Sequence, residues 1–389
     1  YHSKKSFRFT IKIKNMALVI NEEQQMLKSS TKEFLDLKSP LTLMRELRDD
    51  NYNQFKVELW TEMVEMGWTS LTIPEKYNGL NFGFVGLGQV LEEIGRKLTV
   101  SPIISTVLMS TSLISLSKNE VLKNKLFQEI MNGSKLCALA HEEGRHHNPE
   151  LINSLVSKNE DHFILNGKKK FVIDGSISDY LIVSAKHEDE KNIALVLIDR
   201  KSDGINLNNK VHMDSKIYSD ISFENVKIDK MNFLSTDNDG SIILNKTLDI
   251  ARVGLAAEML GNVQEAFEIT MKYIKEREQF GVKIGSFQAL QHRSALMFGE
   301  IELCKSIVLR ALQAIDSNDS ELPKFASLAK AKLGLVSKLI TNEAVQMHGG
   351  IGVTDDVDIG FFLKKTRVAD RILGDSNYHL DRLAKLNNY

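Results

Sequence analysis

The chain has 389 residues, 42% of them apolar, which is enough for two or three domains of the usual ~100–150 residues with substantial cores. Fifty basic residues against 51 acidic ones leave almost no net charge, which argues against a nucleic-acid or polyanion partner. Every long apolar stretch is interrupted well before the ~20 residues that a membrane span needs, so we expect a small-molecule ligand and no membrane span.

The first fifteen residues are basic and contain no acid, and Met16 after them resembles a natural start. We therefore expect residues 1–15 to be a leader outside the fold, with a mitochondrial presequence as the alternative. Cys137 and Cys304 lie far apart in apolar surroundings, which predicts neither a disulfide framework nor a metal site. These features favour a cytoplasmic protein, or one of the mitochondrial matrix if the source is eukaryotic.

Residues 16–133 have helical periodicity and are predicted to form an all-α domain. Asn21 can cap a first helix, since Glu22 and Glu23 then complement the positive end of the helix dipole. A second helix is predicted to end at Gly67. Its apolar face consists of Phe55, Leu59, Met63 and Met66. Further helices are predicted near residues 85–96, 102–116 and 119–131.

Residues 134–234 change to a period of 2, which predicts a β domain. The dipeptide Asn166-Gly167 favours a tight turn, so residues 163–165 and 171–173 are predicted to form a hairpin around it. Further strands are predicted at residues 180–185, 193–198 and 217–223. A small antiparallel barrel or sandwich is the simplest arrangement.

Residues 235–389 return to helical periodicity in segments much longer than the ~11–12-residue average helix. Long helices are predicted at residues 248–277, 287–316 and 324–348, and a short one at 378–386. Packed together, they predict an antiparallel bundle. The expected fold class is therefore α+β and mostly α, with a helical domain, a β domain and a helix bundle in that order.

Two signatures lie in the C-terminal region. The first is Arg277-x-x-Phe280-Gly281-x-x-Ile284-x-x-Phe287-Gln288, and the second is Gln346-x-x-Gly349-Gly350-x-Gly352. Together with the α–β–α order, they resemble the acyl-CoA dehydrogenase superfamily across roughly residues 22–386. Without this resemblance, Arg277 could simply cap a helix and Gly349-Gly350 could end another.

The resemblance implies FAD as cofactor, an acyl-CoA substrate, electron-transfer flavoprotein or a similar acceptor as partner, and a homo- or hetero-oligomer. In the family the flavin ring lies between the β domain and the bundle, and the adenine half crosses a dimer interface. Arg277 would bond the cofactor pyrophosphate, and glycines permit close backbone approach. The resemblance assigns cofactor contacts to Arg277, Phe280, Ile284, Phe287, Gln288, Gln346, Gly349 and Gly350. Arg277 and the second signature are expected to act from different protomers.

The β domain carries weaker matches. Residues 141–147, His-Glu-Glu-Gly-Arg-His-His, stand where the family has Thr-Glu-Pro-x-Ala-Gly-Ser, so His141 is a candidate cofactor contact. Phe171 and Ile173 match the wall beside the flavin, although Ile173 cannot donate the hydroxyl hydrogen bond of a threonine. His141, His146 and His147 lack an opposing ligand pair, so a solvated loop or the rim of a ligand site is expected instead of a metal centre.

Acyl-CoA α,β-dehydrogenation requires a base for the α-proton, which in the family is a glutamate. The two positions where the family places it hold Leu373 and Ala251 here. Asp375 is the candidate for a displaced base, and its alternative role is to cap the helix that follows. Asp249 and Arg252 match positions near the thioester, or they form an intrahelical ion pair. Glu258, two turns further on, is expected to face an interface.

Three functional hypotheses follow from this. The first is an FAD-dependent acyl-CoA dehydrogenase with a shifted base. The second is a proton-transfer-silent, flavin-binding subunit of a hetero-oligomeric dehydrogenase. The third is another flavin reaction on the same fold, such as an oxidase with an aspartate base.

Overall fold

The computed structural model describes residues 18–50, 55–188, 192–236 and 238–389, so the leader expected at residues 1–15 lies outside the described residues. The N-terminal region is helical, as predicted. Its helices are α1 (Glu22–Lys38), α2 (Leu41–Asp49), α3 (Val57–Glu65), α4 (Phe84–Lys97), α5 (Thr111–Leu116) and α6 (Glu120–Met131). A π-helical segment, Ile103–Ser110, leads directly into α5.

The predicted start of the first helix is confirmed. Asn21 accepts a hydrogen bond from the Gln24 backbone at 2.8 Å, and the Gln24 side chain accepts one from the Asn21 backbone at 3.0 Å. This is a capping box, in which two otherwise unpaired donors are satisfied. The predicted helix end at Gly67 is also confirmed, because Gly67 has a φ of 77°, a conformation that glycine adopts without steric cost.

Seven strands form one curled sheet in the middle of the chain. They are β1 (Cys137–Ala140), β2 (Leu155–Asn159), β3 (His162–Ile173), β4 (Tyr180–His187), β5 (Ile193–Asp199), β6 (Ile205–Val211) and β7 (Ile217–Ile228). The order is β1-β4-β2-β3-β7-β6, with β5 also paired to β4. Most pairs are antiparallel, while β1 and β2 pair with β4 in parallel.

The predicted hairpin at Asn166-Gly167 is wrong. Both residues lie inside β3, where its register with β7 shifts. The chain reverses instead between β2 and β3, at Glu160, whose φ is 50°. Gly167 is needed for a close contact, because a Cβ there would lie 2.2 Å from the Ser154 hydroxyl oxygen. The Asn-Gly pair therefore permits close packing within a strand here and does not form a turn.

The C-terminal bundle is confirmed. Its helices are α7 (Gly240–Glu276), α8 (Gln288–Asp316), α9 (Leu322–His348), α10 (Ile359–Arg371) and α11 (Ser376–Leu386). A two-stranded ribbon, β8 (Glu278–Gln279) and β9 (Val282–Lys283), links α7 to α8. Within the described residues, no helix is long and apolar enough to cross a membrane.

Two hydrophobic clusters hold the fold together. The larger one joins the N-terminal helices to the bundle, where α4 packs along α7. Gly95 and Gly261 permit this contact, because a Cβ on either would lie within 2.0 Å of a carbonyl oxygen of the other helix. The smaller cluster fills the inside of the curled sheet. The candidate site lies between the sheet and the bundle.

Candidate functional site

A cavity of about 780 Å³ lies between the sheet and the C-terminal bundle. This volume is in the range of small-molecule and cofactor sites. Apolar side chains line part of it, including Met109, Leu139, Ile173, Leu248 and Leu373. Cationic side chains also line it, namely Arg145, Lys170, Arg367 and Arg371. An apolar pocket bordered by cations suits a ligand that has both a hydrocarbon part and phosphates.

The loop that follows β1 brings residues 141–147 to this cavity. Glu143 fixes the loop, because it forms a buried ion pair with Lys169 at 2.6 Å and accepts from the backbone of Asn153 at 2.6 Å and of Ser154 at 3.0 Å. A buried carboxylate with several donors is well compensated for its loss of solvation. The loop is therefore held firmly at the edge of the sheet.

Arg252 on α7 is the centre of a buried hydrogen-bond network. Its Nη1 atom is 2.8 Å from Asp249 Oδ1, its Nη2 atom is 2.9 Å from His147 Nε2, and its Nε atom is 3.3 Å from the Leu373 carbonyl oxygen. Asp249 also pairs with Arg382 at 2.7 Å. The intrahelical pair between Asp249 and Arg252 is confirmed. Because the pair is buried, removal of either partner would leave the other as an uncompensated buried charge.

His147 and Glu142 form a second pair in the cavity wall. His147 Nδ1 is hydrogen-bonded to Glu142 Oε1, and the His147 side chain is only 4% exposed. Burial lowers the pKa of His147 below its usual value, and the nearby Glu142 carboxylate only partly opposes this. Burial raises the pKa of Glu142, but the hydrogen bond from His147 and the neighbouring charges and donors together outweigh burial, and the net pKa is lowered. At neutral pH the pair is thus a carboxylate beside a neutral imidazole.

Leu373 has an unusual backbone conformation, with a φ of 61°, followed by Gly374 with a φ of 101°. Its carbonyl oxygen accepts from Arg252 and, at 3.0 Å, from His379 Nε2. Among the described residues, the N–H of Leu373 donates to no backbone carbonyl outside the regular helices and strands. The N–H of Gly374 closes the turn over residues 372 and 373. Residues held in such conformations by their surroundings often occur at functional sites. Neither Leu373 nor Ala251, both buried, can accept a proton.

Asp375 lines the cavity, but both of its carboxylate oxygens are engaged. Oδ1 accepts from the Tyr378 backbone at 2.9 Å, which caps α11 as expected. Oδ2 pairs with Arg371 at 2.6 Å. The structure therefore confirms the cap, and a role for Asp375 as base stays a prediction. Glu258 lies outside the cavity lining, fully buried and 3.0 Å from Lys365 Nζ.

Three predicted cofactor contacts meet in the cavity wall, namely His141, Phe171 and Ile173. Phe171 is 44% exposed, so a flat face is available to a planar ligand. His141 Nδ1 is 2.9 Å from the Ser184 hydroxyl, while its Nε2 atom is buried with no partner among the described residues. Burial lowers the pKa of His141 to about 4, so it is neutral.

The hydrogen bonds of Ser184 determine which nitrogen of His141 carries the proton. Lys169 Nζ, which can only donate, lies 3.2 Å from the Ser184 hydroxyl oxygen. If the hydroxyl hydrogen then points to His141 Nδ1, the hydrogen of His141 is on Nε2. A buried N–H donor without a partner is costly unless a ligand satisfies it. The cavity wall therefore fits a flat ligand with acceptor atoms at its edge, such as a flavin ring.

The two C-terminal signatures lie elsewhere, together at the far end of α7. The Tyr273 ring stacks on His348 at 4.3 Å, and its hydroxyl donates to the His348 carbonyl at 3.2 Å, so the segments after residues 276 and 348 are neighbours. Leu248, in the cavity, and Tyr273 are roughly 37 Å apart along this helix at 1.5 Å per residue. Phe280 is 90% exposed, and a Cβ on Gly281, Gly349 or Gly350 would meet no atom within 4 Å. One chain therefore does not bring its signatures to its own cavity.

Sequence reasoning missed Glu142, His147 and His379 as site residues. From sequence, His141 is a candidate cofactor contact, whereas His146 and His147 are expected only in a solvated loop or at the rim of a ligand site. In the described residues, no group of three His, Cys, Asp or Glu side chains is arranged to hold a metal ion. The only sequence signal for the pair of Glu142 and His147 was their spacing, a glutamate five residues before a histidine in a loop. This pattern is common.

Comparisons with known proteins agree with this architecture. The chain matches the acyl-CoA dehydrogenase N-terminal domain over residues 21–134, the middle domain over 137–226 and the C-terminal domain over 238–386. It is 31% identical to a 3-(aryl)acrylate reductase of Clostridium sporogenes, over 82% of this chain and 87% of the other. It is 28% identical to a subunit of the caffeyl-CoA reductase–Etf complex of Acetobacterium woodii, over 90% and 94%.

A solved structure shows the same fold. Butyryl-CoA dehydrogenase from Megasphaera elsdenii superposes with a TM-score of 0.89 at 23% identity, over 96% of this chain and all of the other. The three domain matches together span most of the described residues in the order of the helical, β and bundle regions. The chain belongs to the acyl-CoA dehydrogenase family of FAD-dependent oxidoreductases that act on CH–CH bonds.

Proposed function

We propose that this chain has a complete acyl-CoA site of its own and catalyses α,β-dehydrogenation without a second catalytic subunit. The observation that supports this most directly is the cavity, whose apolar, cationic and hydrogen-bonding walls all come from one chain. Arg145, Lys170 and Arg367 supply cations for the phosphates of coenzyme A.

The backbone at Leu373 and Gly374 can orient the thioester. The N–H of Leu373 suits a thioester carbonyl, and it would stabilise the negative charge that this oxygen gains when the α-proton leaves. Arg252 and His379 fix the Leu373 carbonyl, which holds the peptide plane in place. The predicted substrate contacts Asp249 and Arg252 would then act indirectly, since Asp249 orients Arg252 and Arg252 orients the backbone.

FAD, when bound, accepts the hydride that leaves the β-carbon. The residues proposed to hold its ring are His141, with a donor at Nε2, and Phe171 and Ile173, with apolar contacts. Exclusion of water by Met109, Leu139 and Leu248 would strengthen each polar contact in the cavity.

We propose that the remainder of FAD is held by another protomer. The signatures that begin at Arg277 and Gln346 are close to each other but roughly 37 Å from the cavity of their own chain. One protomer would therefore present both signatures to a cofactor whose ring lies in the cavity of a partner protomer. The sequence had instead led us to expect the two signatures to come from different protomers. Three large apolar side chains on α8 are exposed, namely Leu296, Phe298 and Leu303. Their exposure supports an oligomer.

The reverse reaction is a second candidate. Two similar relatives are named as reductases, and one of them belongs to a complex with an electron-transfer flavoprotein. A site that removes a proton and a hydride can also add them, so we propose electron-transfer flavoprotein or a similar carrier as the redox partner. Rapid reoxidation of the chemically reduced protein by an α,β-unsaturated acyl-CoA, without oxygen, would support this direction.

The proposed function is tested by anaerobic titration of the purified flavoprotein with saturated acyl-CoAs. Bleaching of the yellow flavin by wild type alone is the expected result. If only Leu373→Glu bleaches, the chain is silent in proton transfer and the alternative of a partner-dependent subunit is correct. If neither protein bleaches although both retain FAD and bind the acyl-CoA, the proposed function is wrong.

A further inference from the structure

Glu142 and His147 are a pair of titratable side chains in the cavity wall. The proposed function gives neither of them a role. The reaction needs a proton acceptor, and neither Leu373 nor Ala251 can serve. Asp375 uses both of its oxygens, one for the α11 cap and one for Arg371.

The partners of His147 determine its tautomer. Arg252 Nη2 lies 2.9 Å from His147 Nε2, and a guanidinium group can only donate. Nε2 must therefore be the acceptor and carries no hydrogen. The hydrogen of the neutral ring is on Nδ1, which donates to Glu142 Oε1. A carboxylate behind one nitrogen and a lone pair on the other is the arrangement by which a histidine acts as a general base.

The position of the ring is also suitable. A Cβ on Gly374 would lie 3.0 Å from His147 Cδ2, so the imidazole is packed directly against the Leu373-Gly374 backbone. Tyr378 holds the ring from another side, edge to face at 4.7 Å between centroids. A thioester whose carbonyl accepts from the Leu373 N–H would have its α-carbon one bond away from that carbonyl, which would bring the α-proton to the turn against which His147 packs.

We propose that His147 is the base that takes the α-proton and that Glu142 is its positioning residue, an inference that rests on the proposed function. The Nε2 lone pair forms a bond to the α-hydrogen, and the electron pair of the broken C–H bond becomes the second bond between the α- and β-carbons. The β-hydrogen leaves with its own electron pair as hydride, for which bound FAD would be the acceptor. The imidazolium that results is stabilised by the Glu142 carboxylate, and its proton later passes to solvent.

The step requires a movement of Arg252. When Nε2 takes a proton, its bond with Arg252 Nη2 must break, because the imidazolium and the guanidinium would repel each other, and the Nη2 atom must withdraw while Arg252 keeps Asp249 and the Leu373 carbonyl as partners. His141 is the other buried neutral histidine in the wall and is less suitable. Its Nδ1 atom has a hydroxyl as partner in place of a carboxylate, and the Lys169 cation lies beside that hydroxyl.

The test is α-proton exchange, which needs the base but no hydride transfer. The probe is an acyl-CoA whose β-methylene is replaced by sulfur, incubated with the FAD-loaded protein in deuterium oxide and followed by mass spectrometry. Wild type should exchange the α-hydrogens. His147→Gln should exchange them at least about 100-fold more slowly while it retains FAD and binds the probe, because a general base contributes about 10²–10⁴-fold. His162→Gln, at a half-buried histidine of β3 outside the cavity lining, is the matched control and should exchange at the wild-type rate.

Glu142→Gln provides a second test that keeps the imidazole. Loss of the carboxylate lowers the pKa of His147 further, so the exchange should be slower and its decline on acidification should move to lower pH. Unchanged exchange in His147→Gln, or an unchanged rate and pH profile in Glu142→Gln, would show that the pair is not the base. Loss of exchange in Asp375→Asn with retention in His147→Gln would assign the base to Asp375 and overturn the proposal.

The two proposals fail in different ways. If wild type exchanges the probe and oxidises a saturated acyl-CoA, and His147→Gln does both as well, only the assignment of His147 is wrong. If wild type does neither, the proposed function is wrong and the base assignment fails with it.

Discussion

Arg252 and Leu373 are 121 residues apart in the chain and are joined by a hydrogen bond of 3.3 Å from Nε to the carbonyl oxygen. This bond connects the first long helix of the bundle to the turn before α11. The same guanidinium contacts Asp249 and His147, so one side chain fixes a helix, a backbone turn and a loop of the β domain. The geometry of the cavity therefore depends on Arg252.

We predict that Arg252→Lys lowers the stability of the protein. A lysine ammonium cannot reproduce three bonds in a fixed planar fork, so contacts to His147 or Leu373 are lost although the charge remains. The loss should be less than the ~3–5 kcal/mol of an abandoned buried charge, because Asp249 keeps Arg382 as a partner. Thermal unfolding of both proteins measures the change. An unchanged melting temperature would mean that the three bonds of Arg252 contribute little.

We predict that Asp375 stabilises the protein through its cap of α11 and not through its charge. Asp375→Ala should cost ~1 kcal/mol, because the Tyr378 backbone N–H loses its capping acceptor. Asp375→Asn should cost much less, because asparagine is an equally good cap and the Arg371 side chain is 71% exposed. Urea unfolding of the two variants checks this. Equal losses would assign the stabilisation to the ion pair instead.

Arg277→Ala should weaken the retention of FAD. If Arg277 binds the pyrophosphate of a cofactor shared between protomers, the loss of one charge-assisted bond should cost about 1.5–3 kcal/mol, or roughly 10–150-fold in the dissociation constant. The measurement is flavin content after gel filtration at a series of protein concentrations. Lys275→Ala, at a nearby cation outside the signature, is the control. A monomer that keeps stoichiometric flavin would contradict the shared site.

Lys330 predicts an unusual pH dependence of stability. It is fully buried, its Nζ atom donates to the Ala369 carbonyl at 2.7 Å, and burial lowers its pKa to about 7. Between about pH 7 and its usual pKa of 10.5 the unfolded chain binds a proton that the folded chain does not, so this residue makes stability rise with pH across that window.

The substitution Lys330→Met removes the group that titrates. The melting temperature of the variant, relative to wild type, should therefore be highest near pH 7 and should decline towards pH 9, as wild type gains stability. Lys338→Met, at an exposed lysine of the same helix, should show a difference that does not change with pH. The same pH-independent difference for Lys330→Met would mean that Lys330 keeps its proton in the folded protein.

Much of the fold follows from the sequence alone, because its determinants are local. The cap at Asn21, the stop at Gly67 and the long helical periods were correctly interpreted, since each depends on residues within one or two turns. The two C-terminal signatures, together with the α–β–α order, also indicated the family. The predicted hairpin at Asn166-Gly167 is wrong because a dipeptide cannot reveal that Ser154, just before β2, packs against Gly167.

The chemistry of the cavity was decided only by the tertiary structure. The sequence established that Leu373 and Ala251 cannot be the base and that Asp375 can cap a helix. It could not show that His147 lies against Gly374, or that Arg252, 105 residues further along the chain, fixes the protonation of its ring. Hydrogen bonding and burial set the state of an imidazole, and both depend on groups that only the packing of the β domain against the bundle brings together.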